Sequence, residues 1–271
     1  MIDADLNKRL IERYCPKGSI QARQHNVMLR LLLEIDRICR KYDLQYWLDS
    51  GTLIGAVRHG GFIPWDDDLD IGMMKTDYDR LMQILPSELP DEMVMQNQFT
   101  EPNFFHFYTK IRDRKSLLIE TPDYGRCFKE RGVFIDIFPF EKHPLWLHVL
   151  SEKLQGHVYK IMRCEQREER QTSVMRRVMM LTRFNARITF PILRFLSKFL
   201  PGDLTDSFGI PFHKPRPVKY LFPLREMEFE GHKLFVPNNP DAILRIIYGD
   251  YMQLPNIETT NYHATELTFY E

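Results

Sequence analysis

The sequence is poor in the features that mark several large protein classes. It holds no run of about 18 uncharged apolar residues, so no membrane-spanning helix is expected. Its first residues, MIDADLNKRLIERY, lack an apolar core, so no secretory signal is expected and a reducing cytoplasm is the default compartment. Net charge is also absent: 37 Lys and Arg balance 37 Asp and Glu. A dedicated nucleic-acid binder usually carries a basic excess, and no aromatic–basic strand motif is visible, so no nucleic-acid partner is expected. Glycine is scarce, at 13 of 271 residues, which excludes a collagen-like chain. The four cysteines, Cys15, Cys39, Cys127 and Cys164, stand far apart with no C-x-x-C pair. That spacing speaks against a zinc site or a disulfide framework. Aromatics are plentiful, with 19 Phe and 12 Tyr, which rules out a disordered chain. The length suits one large domain or two small ones.

The first half alternates helix and strand patterns, which favours an α/β domain. Val27, Leu31, Ile35 and Ile38 recur at helical spacing within 19–41. A short strand over 45–49 gives way at Ser50-Gly51-Thr52 to a short helix from Leu53 to Arg58. A strand from Asp68 to Met73 follows, then a helix capped by Thr76 and stopped at Pro86. Residues 93–96, 104–111 and 116–119 read as strands. Gly132 to Phe138 is an apolar strand closed by Pro139. From 145 to about 170 an amphipathic charged helix is expected. Residues 171–200 then hold Arg176, Arg177, Arg183, Arg187, Arg194 and Lys198 but no acid, interleaved with large apolar residues. Two readings fit that segment: a basic amphipathic surface on an anionic membrane, or a core-packed helix pair with a solvated basic face. Pro191 is expected to split it. A hairpin around Gly231 and a helix from Asn239 or Asp241, ended by Gly249, complete the pattern. The expected organisation is a catalytic core over 1–145, a helical insertion over 146–205 and a C-terminal hairpin and helix over 206–271.

The sharpest feature is acidic. Asp66, Asp67, Asp68 and Asp70 place four carboxylates within five residues. On a strand, Asp68 and Asp70 share one face, with Cβ atoms roughly 6–7 Å apart, so one divalent ion can bridge them. Two such charges side by side call for a cation. Oxygen ligands favour Mg2+ or Mn2+. Asp66 and Asp67 read as a solvated turn. Asp136, flanked by Phe134, Ile135, Ile137 and Phe138, needs a role as third ligand, general base or partner of a buried arginine. Upstream, Ser50, Gly51 and Thr52 form a small-residue turn into a helix, whose N–H groups can hold a phosphate. Arg58, His59, Lys110 and Arg112 are candidate phosphate contacts.

These residues carry a family resemblance. Trp47-Leu-Asp-Ser-Gly-Thr through Trp65-Asp-Asp-Asp-Leu-Asp-Ile-Gly-Met73 resembles the core signature of the LicD family, related to fukutin and fukutin-related proteins. Phe107-Tyr-Thr-Lys-Ile-Arg-Asp113, Gly132-Val-Phe-Ile-Asp-Ile-Phe-Pro139 and Tyr248-Gly-Asp-Tyr-Met-Gln-Leu-Pro255 resemble its later blocks. The resemblance implies a nucleotidyltransferase-like, polymerase-β-like mixed sheet with helices. It implies that Asp68, Asp70 and Asp136 bind the metal and serve catalysis, with Ser50 and Gly51 against the donor phosphates. It also implies transfer of phosphocholine from CDP-choline, a CDP-linked donor, to a hydroxyl of a cell-surface glycan acceptor such as lipopolysaccharide. After Pro255 the sequence departs from many relatives: of a His pair only His263 remains.

In the expected reaction Lys110 and Arg112 offset charge on the leaving CMP, with Arg58 behind them. Trp47, Trp65, Tyr108 and Tyr124 are the aromatic residues near the motifs that can face a quaternary ammonium. The basic apolar segment suits a lipid-linked acceptor at the inner membrane face. Two alternatives remain: another CDP-linked group, such as phosphoethanolamine or ribitol phosphate, or a non-catalytic metal-binding scaffold. The intact acidic residues argue against the scaffold.

Overall fold

The computed structural model describes residues 2–121, 123–164, 172–255 and 264–270. Capping sets the first two helices. The Asp3 carboxylate accepts from the N–H groups of Asp5 and Leu6 and opens α1 (Ala4–Tyr14). Ser19 caps α2 (Ile20–Lys41) through the Ala22 N–H. The apolar stripe of α2 is its buried side, with Leu31, Ile35 and Ile38 fully enclosed. The chain continues through β1 (Tyr46–Leu48), α3 (Ser50–His59), β2 (Asp70–Met74) and α4 (Lys75–Glu88).

Two expectations change here. The helix α3 begins at Ser50, because Asp49 already takes the extended N-cap conformation. The helix α4 starts before Thr76, with Met74 as its cap, and runs through Pro86. Pro86 withholds a single N–H from a helix that ends two residues later.

Then come β3 (Met93–Gln96), β4 (Thr109–Asp113) and β5 (Ser116–Glu120). Only the end of the expected strand 104–111 is extended. Phe104 and Phe105 instead pack on Phe128, with ring centroids 5.3 and 6.1 Å away. The strand β6 (Phe134–His143) does not stop at Pro139. On one side it runs parallel to β2, from Asp70 opposite Asp136 to Met74 opposite Phe140. On the other it pairs with β4 as far as Ile137, and from Phe140 with β7 (Asp203–Asp206). Pro139 falls at the switch, where its missing N–H disturbs neither antiparallel ladder.

The mixed sheet has the order β1-β2-β6-β4-β3, with β7 also on β6. Ile71, Met73, Ile111, Ile135 and Ile137 belong to the core covered by α2 and α4. Side chains alternate along a strand, so Asp70, Lys110, Phe134 and Asp136 lie on the opposite face. That face carries the cleft described below.

The helix α5 (Leu145–Cys164) fills most of the expected span, and 165–171 lie outside the described residues. It packs with α6 (Ser173–Phe184) on Phe104, Phe105 and Phe128. A π turn (Asn185–Thr189) joins α6 to α7 (Phe190–Ser197). Pro191 therefore does not split the segment. The irregularity falls just ahead of it as a wider helical turn that accommodates the proline ring.

A short helix α8 (Val218–Leu221) precedes the hairpin of β8 (Arg225–Phe229) and β9 (His232–Val236). Glu230 and Gly231 both have positive φ, 49° and 77°, as a type I′ turn requires. Asn239 caps α9 (Pro240–Tyr248) through the Ala242 N–H. The last strand, β10 (Ala264–Phe269), pairs antiparallel with β5. His263 lies outside the described residues. Among the described residues no helix is long and apolar enough to cross a membrane.

Candidate active site

Three neighbouring strands bring charge together by register. Asp70 on β2 lies directly opposite Asp136 on β6, and Asp136 lies opposite Lys110 on β4. The Lys110 ammonium donates to Asp136 Oδ2 at 2.9 Å, and both side chains are buried. It also sits 3.2 Å from the centroid of the Phe134 ring, a cation–π contact. The other oxygen, Asp136 Oδ1, is buried with no hydrogen-bond partner among the described residues. Burial pushes the Asp136 carboxyl up to about 6, against the pull of Lys110. Asp70 is held well above the ordinary carboxylate range, first by desolvation and then by the charges of Asp68 and Asp136. An acidic pair with an orphaned oxygen fits a divalent cation.

The acidic loop closes over the start of α3. Asp68 precedes β2 and lies on the cleft wall. The turn is not freely solvated: Asp67 is buried and Asp66 is half-buried. Desolvation, then Asp68 and Asp67, push the Asp66 carboxyl well above its usual range. A Cβ on Gly51 would stand 2.9 Å from Asp66 Oδ2, so glycine permits this close approach. Thr52 Oγ1 accepts from the Asp70 N–H at 2.8 Å, and the Asp49 N–H donates to the Asp70 carbonyl at 3.1 Å. Ser50 is held at φ 49°, a conformation that non-glycine residues rarely adopt. The Asp49 side chain does not cap α3. It accepts instead from Arg216, Nε to Oδ1 at 3.0 Å and a terminal guanidinium nitrogen to Oδ2 at 2.5 Å, in a pair buried on both sides. The first N–H groups of α3 thus face the acidic loop without a side-chain cap.

A cavity of about 930 Å³ opens over Asp68 and Asp136. Asp68, Lys110 and Asp136 lie on its wall, as do Tyr108, Tyr124, Tyr159 and Glu120. Tyr124 and Tyr159 meet edge to face with centroids 6.0 Å apart. The Glu120 side chain makes no hydrogen bond or ion pair among the described residues. Other expected contacts lie elsewhere. Arg112 is buried behind Phe134 and donates to Gln96 Oε1 at 2.5 Å and the Gly132 carbonyl at 2.6 Å. Arg58 donates to His59 Nε2 at 2.9 Å and the Tyr251 carbonyl at 2.7 Å. Both guanidiniums are therefore committed within the fold, away from the cleft wall. Trp47 packs against Phe140, and Trp65 against Tyr14 and His59, so neither indole faces the cavity. Sequence reasoning missed Glu120, Tyr159 and Arg216. Glu120 ends an ordinary strand and Tyr159 sits in an ordinary amphipathic helix. Arg216 is a lone arginine between Pro215 and Pro217, and only the fold gives it a partner.

Known proteins resemble the chain around this site. The LicD/FKTN/FKRP nucleotidyltransferase domain matches residues 43–172. This stretch of the chain is similar to the LicD family. That span takes in α3, the acidic loop, Lys110 and Asp136. The lipopolysaccharide cholinephosphotransferase LicD of Haemophilus influenzae is 28% identical over 257 residues, which cover 89% of this chain and 94% of that protein. An uncharacterised protein of Rickettsia prowazekii is 43% identical over 77 residues, 28% of this chain and 29% of its own length. Human ribitol 5-phosphate transferase FKRP is 44% identical over 45 residues, 17% of this chain and 9% of that protein. The chain is thus similar over nearly its whole length to one of these relatives and over short segments to the others.

Proposed function

We propose that this protein transfers phosphocholine from CDP-choline to a hydroxyl of a cell-surface glycan, with the acceptor carried on lipid at the inner membrane face. One observation carries the reading: Asp136, with one carboxylate oxygen unpartnered among the described residues, lines a cleft together with Asp68, a lysine and several tyrosines, and Asp70 lies opposite it on the neighbouring strand. The named relatives, a cholinephosphotransferase and a ribitol 5-phosphate transferase, support the class of reaction.

Asp68, Asp70 and Asp136 are the ligands for Mg2+ or Mn2+ in this reading. Among the described residues no group of three or more His, Cys, Asp or Glu side chains is placed to hold a metal ion by itself. Mg2+ is commonly held by one or two carboxylates with substrate phosphates and water, and the site suits that habit. When bound, the ion supplies charge stabilisation to the phosphoryl oxygens. Ser50, Gly51 and Thr52 present the α3 N-terminus to the diphosphate. Lys110 stays paired to Asp136 and faces the charge that grows on the leaving CMP. The acceptor oxygen bonds to the phosphorus that bears choline, the bridging P–O bond to CMP breaks, and the hydroxyl proton leaves to solvent or a carboxylate. The choline end lies among Tyr108, Tyr124 and Tyr159, with the Glu120 carboxylate beside it.

Calorimetry with CDP-choline, with and without Mg2+, tests this beside CTP and CDP-ribitol. Metal-dependent binding selective for CDP-choline supports it. Selectivity for CDP-ribitol moves the transferred group and retains the site. Absence of binding to any nucleotide contradicts it.

A further inference from the structure

The helical segment that follows the LicD-type domain has a surface the transfer reading does not use. Over α6, the π turn and α7, the buried side chains include Val178, Thr182, Asn185, Phe190 and Leu193. The step from Asn185 to Phe190 is five residues, where α-helical spacing alone gives three or four. The π turn absorbs the extra residue. Asn185 anchors it by donating to Gln155 Oε1 at 3.1 Å.

The same turn keeps the outer face in line. Met180, Phe184, Ile188, Ile192, Phe195 and Phe199 recur every three or four residues. Three successive four-residue steps would drift by about 120° around an unbroken α-helix. The wide turn takes up that drift, so these six side chains form one stripe. All are exposed, from 47% for Ile188 to 71% for Phe199. A helical unit that is apolar inside and apolar outside needs cover on its outer side. It is too short and too charged to cross a bilayer.

Charge identifies the cover. Arg176, Arg177, Arg183, Arg187 and Lys198 are exposed and make no ion pair among the described residues. Arg194 alone is engaged, with Glu141 at 2.8 Å. No acidic residue occurs from 171 to 202. A protein partner matched to this face would need apolar and acidic groups mixed at close range. An anionic bilayer offers both at once, acyl chains below and negative headgroups above.

We infer that the outer face of α6, the π turn and α7 docks on an anionic lipid surface. Phe184, Ile188, Ile192, Phe195 and Phe199 enter the headgroup boundary, and the arginines and Lys198 meet the phosphates. The helix axis lies in the membrane plane, and the chain remains peripheral.

Co-sedimentation of the full chain with vesicles tests this without any substrate, so its outcome is separate from that of the transfer reading. Vesicles of phosphatidylcholine containing one quarter phosphatidylglycerol should bind the protein. Pure phosphatidylcholine should bind it at least about tenfold more weakly, because each basic residue near an anionic surface is worth about a factor of five. Arg183→Glu with Arg187→Glu, and separately Phe195→Ser with Phe199→Ser, should each release the protein while far-ultraviolet dichroism stays unchanged. Equal binding to both vesicles, no binding to either, or unchanged binding by the variants would overturn the inference. So would a wild-type dimer in solution that Phe195→Ser with Phe199→Ser turns into monomer while vesicle binding is unaffected.

Discussion

At the residue scale, the account rests on carboxylates placed where they repel one another. Asp70 is disfavoured as an anion by desolvation and by Asp68 and Asp136. Replacing Asp70 by Asn should therefore leave the thermal midpoint equal or higher while turnover falls by about 10³-fold or more. A melting curve beside a transfer assay reads both. Asp206 gives a pH test away from the cleft. Desolvation, against the pull of Arg216, pushes its carboxyl up to about 7. The folded state then binds more protons than the unfolded state between about pH 4 and 7, so this residue lowers stability as pH rises through that window. Asp206→Asn should gain stability relative to wild type over the same range, at up to about 1.4 kcal/mol per pH unit. Urea midpoints at several pH values measure the gain, and a constant difference would count against it. Much of this site was legible in the sequence. Four Asp in five residues and one Asp inside an apolar strand announce a charge problem that folding must solve. Arg58 and Arg112 were misleading because a guanidinium serves a carbonyl as readily as a phosphate, and sequence does not reveal which one it meets. Glu120 and Tyr159 gave no signal, because each matches the ordinary pattern of its own element.

At the element scale, β6 does the assembling. It supplies Asp136, pairs with β2 and β4 to bring Asp70 and Lys110 alongside, and continues past Pro139 to hold β7. The sequence pattern ended this strand too early because a proline usually ends pairing, and the change of partner strand at Pro139 is a long-range fact. The π turn was hidden for a similar reason: its five-residue step shows only once the buried side is known. Asn185→Ala should cost about 1–3 kcal/mol by leaving buried Gln155 Oε1 without its donor. A urea titration checks it, and an unchanged midpoint would show that the turn forms without this bond. The pair of Arg216 with Asp49 ties the loop after β7 to the start of α3. Arg216→Met leaves Asp49 buried and unpaired, which should cost about 3–5 kcal/mol, and adding Asp49→Asn should recover most of it. The double variant separates loss of the charge pair from loss of packing.

At the scale of the whole molecule, the sheet has two faces with different work. One is sealed by α2 and α4, and the other opens into a cleft walled by β4, β5, β6 and α5. The alternating helix and strand pattern made the α/β class legible, whereas the cleft wall depended on where α5 docks, which local pattern does not encode. Donor choice belongs to this scale because the wall combines distant elements. Glu120→Gln with Tyr159→Ala should reduce the preference for CDP-choline over CDP-ribitol about tenfold while CMP binding persists. Competition binding checks it, and an unchanged preference would place choline elsewhere. The most direct test of the central claim is paramagnetic broadening of the phosphorus resonances of CDP-choline by Mn2+ on the protein. The account predicts broadening of both phosphorus signals with wild type and its loss with Asp70→Asn and with Asp136→Asn. Equal broadening in wild type and both variants would contradict the claim that these carboxylates bring metal and donor together.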